Sequence, residues 1–269
     1  MRLISLNAWG GQVWPALGDW AEGAGADVLF LQEVIRAPEP SPEWLIYRDP
    51  HRELSQRAIL FADLAERLPS PQARFAAAAR GALENTQGDT HASEHGLGAW
   101  FAPDLAITEA FQGFVHGSYR HGGWGAEPVP RTLQLFRICD PTTGGVATVG
   151  HLHGLRDPSG KGDTPARRAQ ARRLADAVER FRQPGDPVII AGDLNVLPDS
   201  ETFGILAEIG LTDLVTTRGH TDTRTSLYPK EQRFADYLLV SDNVQIRHFD
   251  VPAQPEVSDH RMLIVEFDI

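Results

Sequence analysis

The sequence predicts an α/β fold whose two halves can each supply one sheet to a four-layer αββα sandwich. Short apolar runs that read as buried strands alternate with amphipathic helical stretches near both ends of the chain. Strand-like segments follow one another through the middle. The chain has 269 residues, 42% hydrophobic and 23% charged, which is ordinary globular composition and enough for one large core. No stretch between 100 and 170 reads as a linker, so residues 1–269 are expected to form a single catalytic-size domain.

Taken in order, Arg2–Leu6 is a short apolar run bounded by polar residues and reads as a buried strand. Gln12–Ala24 carries Val13, Leu17, Trp20, Ala21 and Ala24 at helical spacing and reads as a helix. Asp27–Gln32 is a second buried strand. Residues 36–50 hold four prolines and read as loop. Residues 53–83, rich in Ala, Leu, Arg and Glu, read as one or two helices broken at Pro69 and Pro71, and 84–95 as a polar loop. Gly96–Phe101, Ala106–Val115, Thr132–Ile138 and Val146–Leu152 read as successive strands. The Gly/Pro-rich stretch 117–130 between them reads as a surface loop near the site. Asp163–Arg182 is a long helix, Pro187–Ala191 a strand and Ser200–Ile209 a helix. Phe234–Val240, Gln245–Asp250 and Met262–Phe267 close the chain as strands.

The charge balance is 25 Lys+Arg against 36 Asp+Glu, a net of -11. Such a chain lacks the positive field that coats duplex nucleic acid, yet it can meet a phosphate through a bound divalent cation. Cys139 is alone, so no internal disulfide is expected. The N-terminus shows no secretory leader, and no run approaches the ~18 apolar residues of a membrane span. A cytoplasmic, monomeric protein is the expectation.

Polar residues recur where predicted strands end: Asn7, Glu33, His151 and His153, Asp193 and Asn195, Asp236, and Asp259 with His260. Strand ends of one sheet edge converge on a common rim. Glu33 is a hard oxygen ligand suited to Mg²⁺ or Mn²⁺. Asp193 can hold or activate a water, and the Asn195 amide can donate to a phosphate oxygen. His260 can stabilise a phosphorane or move a proton, with Asp236 orienting its ring. These parts describe metal-assisted attack of water on a phosphoester. Arg131, at the start of a strand, is in a position to reach phosphate or to sit exposed there. His91 and His95 lie in the loop-like stretch and are not assigned a zinc site. The run Arg167-Arg168 with Arg172-Arg173 reads as a solvated helix face.

Six stretches occur in order from residue 6 to 260: Leu6-Asn7-Ala8-Trp9, Leu31-Gln32-Glu33-Val34, Gly150-His151-Leu152, Gly192-Asp193-Leu194-Asn195, Ala235-Asp236-Tyr237 and Ser258-Asp259-His260. Together they resemble the endonuclease/exonuclease/phosphatase superfamily, which includes DNase I-like nucleases, exonuclease III-like repair enzymes, deadenylases, neutral sphingomyelinases and inositol phosphatases. The resemblance implies two mixed, mostly antiparallel sheets packed face to face with helices outside, and a phosphoesterase using Mg²⁺ or Mn²⁺. It implies Glu33 as principal metal ligand with Asn7 close by, and Asp193 as the residue acting on water. Asn195 and His151 would hold phosphate oxygens, and Asp236 would orient His260. Asp259 either pairs with a histidine or supports the metal; the motif does not settle which. Motif register favours His151 over His153. A phosphodiester substrate is implied, with nucleic acid first and a lipid headgroup or small phosphoester second; the inositol-phosphatase boxes are absent.

Overall fold

The computed structural model describes residues 1–49, 52–123, 129–157 and 159–269. Part of the expected loop at 117–130, including Trp124, lies outside the described residues. Two mixed sheets pack face to face. The first runs β13(Gln245–Asp250), β14(Leu263–Asp268), β1(Arg2–Asn7), β2(Val28–Arg36), β6(Thr90–Phe101), β5(Arg74–Glu84), β3(Trp44–Asp49) and β4(Arg52–Arg57). The second runs β11(Leu211–Asp213), β12(Asp236–Ser241), β10(Val188–Asp193), β9(Val146–His153), β8(Arg131–Cys139) and β7(Ala106–His116). Among the strands of the described residues, β1–β2 and β9–β10 pair in parallel and the other ladders are antiparallel.

Apolar side chains from both sheets meet in one core. Phe30 of β2, Phe101 of β6 and Phe136 of β8 pack ring to ring, with centroids 4.8–6.2 Å apart. Helices α1(Ala16–Gly23) and α2(Leu60–Arg67) cover the outer face of the first sheet, burying Leu17, Ala21, Leu60 and Leu64 against Ile4, Leu29 and Trp100. Helices α3(Pro165–Phe181), α4(Glu201–Ala207) and α5(Leu214–Thr217) lie along the second, and Leu174, Val178, Leu206 and Val215 join the main core. The predicted αββα sandwich is thereby observed. Thr164 caps α3 through Arg167 N (3.2 Å) and Ser200 caps α4, as helix starts require.

The stretch expected to be helical at 53–83 holds two strands around one short helix. The loop expected at 84–95 is mostly strand, and the proline-rich segment contains β3. The Ala76–Ala79 run has high helix propensity, but tertiary packing overrides it. Strand β5 pairs along its length with β6, and a Cβ on Gly96 would lie 2.0 Å from the Ala76 carbonyl oxygen, so glycine is required at that position of the seam. The expected helix at 12–24 runs from Ala16 to Gly23, with residues 12–15 in turns and Pro15 as its N-cap, after a separate 3₁₀ turn at Trp9–Gly11. Among the described residues no helix is long and apolar enough to cross a membrane.

Candidate metal-assisted phosphoester site

The site forms where β1, β2, β9, β10 and β12 end on one rim. Glu33 owes its position to a β-bulge: pairing of β2 with β6 slips between Leu31 and Val34, and Glu33 sits at φ +55. A non-glycine residue in the left-handed region is uncommon and carries strain. Here the slip turns a carboxylate out of a buried strand toward the rim. Asn195 also has φ +55 and lies two residues past β10, in which a Cβ on Gly192 would meet the Leu152 carbonyl oxygen at 2.1 Å.

Asn7 bridges two acids, its Nδ2 donating to Glu33 Oε1 at 3.2 Å and to Asp193 Oδ2 at 3.1 Å. The Asn195 backbone N–H donates to Asp193 Oδ1 at 2.9 Å and fixes that carboxylate. His260 places Nδ1 2.8 Å from Asp236 Oδ1, while its Nε2 stands 3.8 Å from Asp193 Oδ2 and 3.7 Å from Asp259 Oδ1. Ser258 Oγ donates to the Asn7 carbonyl oxygen (2.6 Å), tying the last motif to the first. The structure thus brings together Asn7, Glu33, Asp193, Asn195, Asp236, Asp259 and His260.

Of the two histidines of β9, both expected at the site with His151 preferred, the structure places His153 there and His151 in the core. His151 is fully buried, its ring stacked on Phe30 at 4.2 Å, with Nε2 2.8 Å from Gln134 Oε1 and Nδ1 3.3 Å from Gln32 Nε2. It is a core residue between the sheets and touches none of the acids. His153 lies opposite Asp193 in the β9–β10 register and reaches the rim, with Nε2 3.7 Å from Asp193 Oδ2 and 3.9 Å from Glu33 Oε1. Both side chains point the same way along the strand, and two residues of rise separate interior from rim. Arg131 is buried at the start of β8 and puts Nη1 3.1 Å from His153 Nδ1.

Sequence reasoning missed three residues. Arg224 is buried, with Nη1 donating to Asp259 Oδ2 at 3.0 Å; nothing in its polar segment signalled a role. Asp259 therefore pairs with an arginine as well as flanking His260. His95 lies on β6, its ring 6.2 Å from that of His153, and its charge acts on Glu33. Lys161 stands in the loop after β9, near Asp193 and Asp236. Arg167, expected on a solvated face, is buried at 1% exposure and donates to the carbonyl oxygens of Leu155 and Gly162.

Electrostatics divide the acids. Burial alone raises Glu33, but His95, His260, the Asn7 amide and Arg131 outweigh it and hold Glu33 below its ordinary value. Asp193 is raised by burial and by the charge of Asp236. Burial pushes Asp236 up to about 7 and His260 down to about 4, the latter aided by Arg224. Both groups are driven toward neutrality, and one proton between Nδ1 and the carboxyl group satisfies the bond between them.

The donor set suits a hard divalent cation. Glu33 and Asp259 supply carboxylate oxygens, and Asp259 Oδ1 is buried with no hydrogen-bond partner, whereas Asn7 turns its Nδ2 to the acids and its Oδ1 to the Trp9 N–H at 2.9 Å. Asp193, Asp236 and His260 also offer ligand atoms within 4.8 Å of one another.

Residues 4–260 match the Endonuclease/Exonuclease/phosphatase family, and the chain belongs to it. The fold is that of its phosphoesterases. Similar solved structures include the mannosyl-6-phosphatase of Bacteroides thetaiotaomicron, at TM-score 0.69 and 16% identity over 100% of both chains. An endonuclease/exonuclease/phosphatase from Beutenbergia cavernae matches at TM-score 0.72 and 18% identity, over 99% of this chain and 71% of that one. The catalytic domain of human Nocturnin, solved with a bound sulfate, matches at TM-score 0.63 and 17% identity, over 100% of this chain and 93% of that one. No curated protein matches in sequence.

His153→Ala is expected to lower phosphoester turnover by about 10²-fold while the fold survives. His151→Ala is expected to cost about 2–4 kcal/mol of stability, through the lost ring and its two bonds, while the folded fraction keeps its turnover. Urea unfolding and initial rates on both variants check this; the reverse pattern would restore His151 to the site. Burial lowers His151 to about 3 from 6.5, so unfolding takes up a proton there. Its contribution makes wild-type stability fall as pH drops below 6.5 and level off near 3.

Proposed function

We propose that this protein is a divalent-metal-dependent phosphoesterase that hydrolyses phosphodiester bonds by attack of an activated water. The carrying observation is the convergence of Glu33, Asn7, Asp193, Asp236 and His260 on one rim. Glu33 and Asp259 would hold the cation, Mg²⁺ or Mn²⁺, with Asn7 steadying Glu33 through its Nδ2; when bound, the cation supplies positive charge against the phosphate oxygens. Asp193 takes the proton of the attacking water through Oδ2, its Oδ1 being held by the Asn195 N–H. Its raised proton affinity suits that task. Asp236 grips the Nδ1 side of His260 and turns Nε2 toward the phosphate. Arg131 and His153 serve phosphate oxygens on the Glu33 side, and the Asn195 amide serves them on the other.

A nuclease-type substrate is the first reading. A small phosphoester is the second, and one observation favours it: Arg167 of the helical basic run is turned inward, removing a cation from the face a polymer backbone would need. The mannosyl-6-phosphatase among the similar structures is consistent with such a substrate.

The test is a substrate panel with Mg²⁺ and with Mn²⁺: bis-p-nitrophenyl phosphate, single- and double-stranded DNA, RNA, sphingomyelin and sugar phosphates. Turnover is expected on the simple diester with either ion and none after EDTA. Full turnover in EDTA would sink the metal mechanism. Activity on sugar phosphates with none on nucleic acids would select the second reading.

A further inference from the structure

The chain contains two lysines, Lys161 and Lys230, among 25 basic residues; Lys161 stands beside the site, and the charge of Lys230 is felt at Lys161. Lys161 follows Gly160, which sits at φ +111, in the loop after β9. Its ammonium donates to the carbonyl oxygens of Phe234 and of Gln232 (3.4 Å), leaving a third N–H. Among the described residues no carboxylate lies within ion-pair distance of it. The ammonium is 5.7 Å from the ring centroid of Tyr228, and the Arg224 guanidinium carbon is 4.2 Å from the same centroid. One ring therefore gathers two cations, and Lys230, exposed two residues further on, adds a third charge felt at Lys161.

Such crowding of like charge costs free energy. Burial first, and then Arg224, pull the Lys161 ammonium down to about 8. The framework nevertheless holds the arrangement firmly. Arg233 donates to the carbonyl oxygens of Arg224 (2.8 Å) and Thr225 (3.0 Å), Arg261 donates to that of Arg224 (2.8 Å), and Asp222 accepts from both arginines. On the other loop, Arg167 donates to Leu155 and Gly162 carbonyl oxygens, and the Gln170 side chain accepts from the Leu155 N–H. Neither loop is a loosely held surface turn.

The cations sit in two places. Arg131 meets His153 on the Glu33 side, Nη1 to Nδ1 at 3.1 Å, whereas Lys161 and Arg224 share the Tyr228 ring on the Asp259 side, Arg224 donating to Asp259 Oδ2 at 3.0 Å. The Glu33 flank is already assigned to the scissile phosphate. Arg224 is paired with Asp259, but among the described residues neither Lys161 nor the exposed Lys230 has a carboxylate partner, so their N–H groups are open to a further anion.

We infer that Lys161 and Arg224, gathered at Tyr228, together with the exposed Lys230 two residues along the chain, form a second anion subsite that takes a further phosphate group of the substrate. The preferred substrates are then phosphoesters carrying two phosphates. This rests on the phosphoesterase reading for the scissile position.

The test compares propanediol bisphosphate with propyl phosphate, with divalent metal in excess. Each is titrated calorimetrically into the wild type and used as a competitor of bis-p-nitrophenyl phosphate turnover. The bisphosphate is expected to bind about tenfold tighter or more, a gap of about 1.4 kcal/mol. Lys161→Met and Lys230→Met are each expected to lose about 3–10-fold of that advantage, with propyl phosphate shifted less than about twofold. Lys230 is exposed, so its variant keeps the comparison valid if Lys161→Met folds poorly. Equal binding of the two probes by the wild type would overturn the subsite, as would variants that weaken both probes equally. Calorimetry needs no turnover, so absence of diester hydrolysis would count against the phosphoesterase reading alone. Oligothymidylate as a third competitor separates a polymer's neighbouring phosphate from a small bisphosphate; competition by either supports the subsite.

Discussion

Asp193→Asn is expected to lower turnover of bis-p-nitrophenyl phosphate by about 10³-fold, with KM changed only a few-fold. The substitution keeps shape and size and removes only the capacity to take a proton. Asp193 is suited to show this cleanly because its two oxygens have separate duties. Oδ1 is committed to the Asn195 N–H at 2.9 Å. Oδ2 receives the Asn7 amide at 3.1 Å and faces His153 and His260 at 3.7 and 3.8 Å, too far for good hydrogen bonds. That spacing leaves Oδ2 room for a water. Burial and the Asp236 charge raise its affinity for a proton, so the carboxylate is a better base than an exposed one. Stopped-flow single turnovers separate this loss from binding. A decrease under tenfold, in a variant that still binds metal, would remove Asp193 from the proton-transfer step.

The fold class and the ordered acids were legible in the sequence, for a physical reason. Buried parallel-type strands such as Val188–Asp193 are continuous apolar runs, and a polar residue at their end stands out. The long helix α3 carried both its cap and its periodicity. The region 44–95 was opaque because its strands lie toward the edge of the first sheet, where Ala-rich and polar residues alternate weakly. Helix propensity then misleads, since pairing with β6 and not local preference decides the outcome. Within the site, the carboxylates and His260 could be read, but the cations could not. Arg224 and Lys161 arrive on irregular segments fixed by side-chain to carbonyl bonds, which leave no period. His95 was hidden by the misread strand. The choice between His151 and His153 turned on where β9 leaves the inter-sheet core. Sequence spacing gives the face of a strand and not the depth at which it ends.

Glu33→Gln is expected to weaken Mg²⁺ and Mn²⁺ binding and to cost about 10²–10³-fold in turnover at fixed metal, the several kcal/mol that a cation contributes in such a site. Glu33 is the acid here whose environment favours the ionised form: His95, His260, Arg131 and the Asn7 amide together overcome its burial. Asp193, Asp236 and Asp259 are all raised instead. A hard cation competes with protons for its ligands, so the acid that stays ionised is the natural first ligand. The strained φ of +55 and the bulge that presents this side chain point the same way, since a backbone cost there has to be balanced by what the carboxylate does. Gln preserves the backbone and the Asn7 contact region while removing the charge, so the fold is expected to survive with an unchanged unfolding midpoint in EDTA. Added Mn²⁺ should raise that midpoint in the wild type and not in the variant. Equal metal-induced stabilisation of both proteins would instead assign the cation to the cluster of Asp193, Asp236 and His260, whose ligand atoms lie within 4.8 Å of one another.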